Sequence, residues 1–279
     1  MPRRNAEASP TPPPESSGLP ALPEDIRADL LRAQAASVEA TTLPRAKILP
    51  AGVCLFELDD MPGETHQQLT GIILGYHHRN VLWDRPYGDG PRDPQNPERP
   101  ACVSQDGEHG TPREGFLHLA MAATVATGTE QISCRGCQYN EFGSAPLVGR
   151  RGNGKACNNQ RAVYLMMQGR QLPVELILPP TSITAFDEYL IHLVNRGLPA
   201  QAVVSLIRQE RVQSASGLTY AKVTFTAGDP IDADLFAEVM RRRREYNFLI
   251  HPSPSATAAS PIMETDASML DAAADDLPF

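Results

Sequence analysis

Apolar positions recur with two different periods along this chain, and each change of period marks an element. "LPEDIRADLLRAQAASVEA" opens with acids and sets Ile26, Leu30, Leu31 and Ala35 at helical spacing, which predicts a helix over 23–39. Strand-like runs follow: "AGVCLFEL" over 51–58, then "LTGIILGYHHRNVLW" over 69–83, read as one long strand or a hairpin. Residues 84–115 are a polar excursion full of Pro, Gly and Asp. It is too long for an ordinary connection, so it reads as functional or metal-bound.

"RAVYLMM" (161–167) and "PVELILP" (173–179) flank "QGRQ" and predict a hairpin. "TSITAFDEYLIHLVNRG" (181–197) is the clearest helix: Thr181 or Ser182 caps it, Phe186, Tyr189, Leu190 and Leu193 form its stripe, and Gly197 stops it. "AVVSLIRQERV" and "TYAKVTFTA" predict a second hairpin around "QSASG", and "IDADLFAEVMRRRREYNFLI" a final helix carrying four arginines. About five strands with one helix late in the order predict a mainly β fold with α. The expected shape is an OB-like barrel with flanking helices and an insertion, and an α+β sandwich competes with it.

Composition sets the limits of the folded part. Nine of the 26 prolines fall within residues 1–50, so 1–22 reads as a disordered arm. Residues 251–279 are rich in Pro, Ser and Ala and read as a disordered tail. The folded domain is then 23–250, with an insertion at about 84–160. The net charge of -8 is unevenly placed. The tail holds Glu264, Asp266, Asp271, Asp275 and Asp276 with no Lys or Arg, whereas acids and bases nearly balance over 41–250. Such asymmetry marks interaction tails. No N-terminal apolar run suits a secretory leader and no stretch approaches a membrane span, so the expectation is a cytoplasmic protein that does not enter a membrane.

In the cytoplasm five cysteines are a poor disulfide framework, and a metal site explains them better. Cys134 and Cys137 stand in "CRGCQYN", a two-thiolate knuckle whose short loop lets both sulfurs reach one ion. Cys102 in "ACVSQDG" and Cys157 in "GKACNNQ" complete four thiols in loops rich in Gly, Asp and Asn, where a small hydrophobe would have little to pack against. One structural zinc per chain is expected on Cys102, Cys134, Cys137 and Cys157. Cys54, in the apolar run "VCLFEL", is expected in the core.

Catalysis finds little support. Adjacent strand residues such as His77 and His78 point to opposite faces and do not readily chelate one ion. No nucleophile–base pair or phosphate-binding loop is legible, and "GRRGNGK" lacks the required spacing. The protein reads as a non-enzyme. What 134–170 does offer is positive charge interleaved with aromatics: Arg135, Arg150, Arg151, Lys155, Arg161 and Arg170 against Glu141, with Tyr139, Phe142 and Tyr164 among them. Aromatic faces stack bases while Arg and Lys track phosphates, the pairing expected of a single-strand binder. Trp83, Arg85 and Tyr87 in "LWDRPYGDG" form a second candidate platform.

The chain ends "DAAADDLPF". Phe279 can fill an apolar pocket with its carboxylate caught by a basic group, Pro278 limits the conformations lost on docking, and Asp275 and Asp276 steer toward basic partners. A merely solubilising tail explains the aspartates but not the terminal Leu-Pro-Phe. Asp275, Asp276, Leu277, Pro278 and Phe279 resemble the acidic tip that ends bacterial single-stranded-DNA-binding proteins, with Leu277 where those usually carry Ile. The body is only loosely similar to zinc-containing OB-fold single-strand binders of phages. The resemblance implies a bacterial or mobile-element protein that coats single-stranded DNA and recruits replication, recombination and repair enzymes through its tip. A zinc-ribbon accessory subunit of a primase, nuclease or recombinase complex is the alternative.

Overall fold

The structure, a computed structural model, describes residues 43–49, 53–83, 100–113, 131–147, 150–151, 154–213 and 219–252, with six positions between 23 and 34. The arm over 1–22, Arg85, Tyr87 and the tail with its tip at 275–279 lie outside the described residues. The described residues are mainly β, with helices at the flanks. In chain order they form β1 (Arg45–Ile48), β2 (Phe56–Leu58), β3 (Thr65–His66), β4 (Gln68–Trp83), β5 (Pro100–Ser104), β6 (His109–Pro112) and β7 (Ile132–Ser133). Then come β8 (Pro146–Leu147), β9 (Arg150–Arg151), β10 (Cys157–Met167), β11 (Val174–Leu178), helix α1 (Pro180–Asn195), β12 (Val203–Gln213), β13 (Thr219–Pro230), α2 (Ala233–Glu245) and α3 (Asn247–Ile250).

The long apolar run at 69–83 is one strand, β4, and it organises the rest. Along one edge it pairs antiparallel with β10 from Gly71 to Leu82. Its other edge is shared: β12 takes Gln68–Gly71, and β5 takes Asn80–Trp83. A bulge, which bends the strand that carries it, interrupts the β4–β10 register between Tyr164 and Leu165. Gly75 lies at this bend, where a Cβ would come within 2.6 Å of the Ile250 side chain.

Both faces of the central strands are covered. Ile73, Val163, Leu165 and Leu176 pack with Phe56, Ile207 and the α1 residues Phe186, Tyr189 and Leu193. Ile72, Leu74, Tyr164 and Ile177 pack on the opposite face with Val239, Leu249 and Ile250 of α2 and α3. Burial on both faces is why β4, β10 and β11 read as nearly continuous apolar runs rather than alternating ones.

The mixed sheet runs β11-β10-β4, with β12 and then β13 branching from the start of β4. The outer edge of β11 carries β1 in parallel, Arg45 opposite Glu175 and Ala46 opposite Leu176. Among the described residues no strand pair joins β13 to β11. The first turn of α1 stands against β13 instead, with Ser182 Oγ accepting the Val223 N–H at 2.9 Å. Ser182 is thus spent on the sheet and not on a helix cap. Pro179 holds the cap position, and Pro180, which has no N–H to satisfy, starts the helix. Gly197 follows the helix at φ +67°, as its stop signal requires.

Three further stretches differ in detail from the elements read along the sequence. The strand expected over 51–58 is confined to Phe56–Leu58, because Cys54 takes φ +52° in a turn, although it still packs against the core. The excursion at 84–115 contains the β5–β6 hairpin, with Cys102 opposite Pro112. The final helix breaks at Tyr246, where α2 ends and α3 begins.

Both predicted hairpins form, as β10–β11 and β12–β13. Within 23–34, Ile26, Asp29, Leu30, Ala33 and Gln34 are helical, with Ile26 and Leu30 exposed. The four arginines of α2 are largely structural. Arg242 is 7% exposed and bonds Gln171 through its carbonyl at 3.0 Å and its side chain at 2.8 Å. Arg241 pairs with Glu238 and Glu245, and Arg243 donates to the Leu74 carbonyl. Among the described residues no helix is long and apolar enough to cross a membrane.

Candidate metal centre and nucleic-acid surface

The four cysteines outside the core converge at the far end of β4. Leu82 is opposite Cys157 on β10 and opposite Cys102 on β5. Directly paired residues of neighbouring strands point to the same face, so both thiols flank Leu82 on one side of the sheet. The knuckle arrives from β7. The Cys134 N–H donates to the Glu108 carbonyl at 2.7 Å, and the Cys137 N–H turns back to the Cys134 carbonyl at 3.4 Å. Between them Gly136 has φ +78°, a conformation that glycine adopts without strain.

Cys102, Cys134, Cys137 and Cys157 line one cavity of about 30 Å3, together with Leu82, Gly110, Tyr139 and Asn140 among others. That is room enough for one ion or one water. Gly110 forms part of the wall: a Cβ there would lie 2.8 Å from Cys102 Sγ and 3.6 Å from Cys134 Sγ. Burial pushes the Cys102 thiol up to about 12, with Cys134 and Cys137 adding to the shift. Burial also raises Cys157, reinforced by the other three sulfurs. Cys134 is raised by burial too, while Ser104 and Asn80, within hydrogen-bond reach of its sulfur, oppose the shift. Among the described residues no three His, Cys, Asp or Glu side chains already form a ligating arrangement, so the thiols share a cavity rather than a closed shell. His109 turns to Asp106, Nδ1 to Oδ2 at 2.8 Å. Asp106, partly buried but holding the Ser104 hydroxyl and two backbone N–H groups as well, stays near a value of about 2.

Behind the cavity runs a chain of side-chain amides that sequence reasoning missed. Asn80 Nδ2 donates to the Gly107 carbonyl at 2.9 Å, and Asn80 Oδ1 accepts from Asn159 Nδ2 at 2.6 Å. Asn159 Nδ2 also reaches Asn140 Oδ1 at 3.0 Å, and Asn140 Nδ2 donates to the Cys134 carbonyl at 3.1 Å. Asn140 Oδ1 accepts from Lys155 Nζ at 3.4 Å as well. Three asparagines in strands or loops carry no periodic signal. The β4–β10 register sets Asn159 opposite Asn80, and the 3-10 turn after the knuckle brings Asn140 to Asn159.

The proposed nucleic-acid contacts divide. Phe142 is 58% exposed, and Lys155 Nζ lies 4.8 Å from its ring centroid, a cation–π distance. Arg135 is exposed at the tip of the knuckle, and Tyr139, in the 3-10 turn Gln138–Asn140, lines the cavity. Arg150 and Arg151 form β9, paired with Leu147 and Pro146. Trp83 closes β4, half-buried, opposite Pro100. Arg161 departs from the expectation. It is 7% exposed and engaged with His78 Nε2 at 2.8 Å and Asp187 at 3.2 Å, because position 161 faces α1. Arg170 is held by Asp60 at 2.7 and 3.0 Å. Tyr164 is a core residue whose hydroxyl meets His77 Nε2 at 3.1 Å. His77 and His78 do point to opposite faces, one to Tyr164 and the other to Arg161.

The chain matches no protein-family model, no curated protein and no solved structure.

Proposed function

We propose that this chain is a non-enzymatic single-stranded-DNA-binding protein whose binding surface is built on a structural zinc centre. The observation that carries the reading is the exposed Phe142 ring with Lys155 against it, the lysine also reaching Asn140 in the wall of a cavity lined by four thiols. An aromatic face beside an ammonium suits a base and its phosphate, with Arg135 on the neighbouring knuckle adding positive charge. Four thiols lining one cavity are the donor chemistry of a structural zinc site, and Cys102, Cys134, Cys137 and Cys157 would hold the ion once their sulfurs close on it. When bound, the ion supplies cross-linking and no reaction: it would tie β5, the knuckle and β10 into one body.

The strand succession supports an OB-like barrel. A three-strand meander (β4, β10, β11), a helix and a hairpin (β12, β13) follow in order, with β12 returning to β4. The barrel is open between β11 and β13, where the first turn of α1 stands. The acidic segment Asp275–Phe279 would then recruit replication and repair enzymes, a role for a cytoplasmic protein of a bacterium or mobile element.

The test is a titration of the purified, zinc-loaded full chain with fluorescent oligodeoxythymidylate and with duplex DNA of equal length. Tighter binding of the single strand is expected, with affinity falling as salt rises, by about 0.7 log units per log unit of salt for each phosphate neutralised. Equal affinity for the duplex would overturn the stacking account.

A further inference from the structure

The Asn140 side chain touches both the Cys134–Cys137 knuckle and Lys155, the partner of the Phe142 ring. Its Nδ2 donates to the carbonyl of Cys134, and its own N–H donates to the Cys137 carbonyl at 2.8 Å. Its Oδ1 accepts from Lys155 Nζ and from Asn159, which is anchored through Asn80 to β4. Lys155 in turn lies over Phe142. A lysine side chain is long and loses rotamer freedom on being fixed. Here the cation–π contact and the Asn140 carbonyl oxygen hold the ammonium in place before any ligand arrives.

From this arrangement we infer that Asn140 is a positioning residue for a single-nucleotide subsite made by Phe142 and Lys155, and that it couples this subsite to the metal centre. The inference rests on the reading of the protein as a single-strand binder. Phe142 stacks one base, Lys155 takes an adjacent phosphate, and Asn140 fixes Lys155 over the ring because Cys134 fixes Asn140. Asn140 itself touches neither base nor phosphate. Loss of the metal loosens the knuckle and with it the lysine, so affinity for single strands depends on metal beyond what folding requires.

The experiment uses zinc-loaded full-length protein and a fluorescent oligodeoxythymidylate, with affinity measured across a salt series and zinc content and melting temperature recorded for every variant. Asn140→Ala is expected to keep one zinc per chain, to bind about tenfold more weakly, and to lower the salt slope by about 0.7, the share of one neutralised phosphate. Lys155→Ala should show the same drop in slope. The double variant should be no weaker than Lys155→Ala alone, since residues acting through one interaction are not additive. Asn140→Ser, whose hydroxyl stops one bond short of both amide atoms, loses the Lys155 contact while staying polar and should behave as Asn140→Ala does. Loss of zinc in both Asn140 variants, or additive effects of Asn140→Ala and Lys155→Ala, would overturn the positioning role. Wild-type affinity in Asn140→Ala removes this inference alone. A wild-type protein that does not bind the oligonucleotide removes the proposed function and this inference with it.

Discussion

Cys102 and Cys157 flank the same residue, Leu82, from strands on either side of it. They are far apart in the chain, and the sheet register alone makes them neighbours. The expected outcome is one zinc ion per purified chain. Cys137→Ser should lower both metal content and melting temperature, since metal binding in such sites is folding free energy, on the order of 10 kcal/mol in small zinc domains. Cys54→Ser, at a turn packed against the core, should leave the zinc unchanged. Metal analysis and melting with and without chelator check this, and full stability in chelator with no metal detected would end the zinc assignment.

Gly110 offers a sharper test because it carries no ligand atom. A Cβ at this position would meet Cys102 Sγ at 2.8 Å and Cys134 Sγ at 3.6 Å. Gly110→Ala should therefore crowd the cavity at a cost of about 1–3 kcal/mol and weaken zinc retention. Competition with a chromogenic chelator reads the effect, and unchanged retention would place the ion elsewhere.

Arg150 and Arg151 sit on β9 beyond the knuckle. The double change to Ala should flatten the salt dependence of single-strand binding by about 0.7 for each phosphate that is no longer neutralised. Tyr139→Ala should weaken binding by about 1–3 kcal/mol with the slope kept, as expected of a stacked base. A Tyr139→Ala effect confined to the slope would reassign that residue.

Deleting residues 271–279 removes Asp271, Asp275, Asp276 and the Phe279 anchor but no basic side chain that could meet a phosphate. DNA binding should survive or tighten slightly, because an acidic tail competes with DNA for positive charge. Capture of partner enzymes should collapse, and Phe279→Ala alone should cost at least ~2 kcal/mol of that affinity. A truncation that abolishes DNA binding while partners are still captured would assign Phe279 to the fold.

Acid should destabilise the fold through His78. Burial and the Arg161 guanidinium hold this imidazole below its ordinary value, and burial does the same to His77. Between that depressed value and about 6.5, the unfolded chain binds a proton that the folded chain refuses. The stabilising contribution is thus present in full above about pH 6.5 and declines as pH falls toward the folded-state values. Melting temperatures between pH 7.5 and 5 should fall less steeply for His78→Gln than for the wild type. Parallel curves would show that His78 titrates alike in both states.

The sequence by itself determined what depends on near neighbours along the chain. The 69–83 run had to be extended, the stripe of Phe186, Tyr189 and Leu193 had to make a buried helix, and the Cys134–Cys137 spacing with its glycine had to make a knuckle. Local backbone preference and the period of apolar residues are enough for these, and the same holds for two hairpins. What only the tertiary structure decided were the outcomes of register and burial. Arg161 reads as a DNA contact beside Arg150 and Arg151, but a period of two turns it toward α1 and Asp187. Asn80, Asn140 and Asn159 carry no local pattern at all. Asn80 and Asn159 meet because β4 and β10 align, the 3-10 turn after the knuckle adds Asn140, and a buried amide must then find partners or forfeit its hydrogen bonds. The helical pattern over 231–250 did not disclose that Tyr246 would break it, nor that Arg242 would be drawn under Gln171. Those choices lie with the surface the helix packs against, which is assembled from strands far away in the chain.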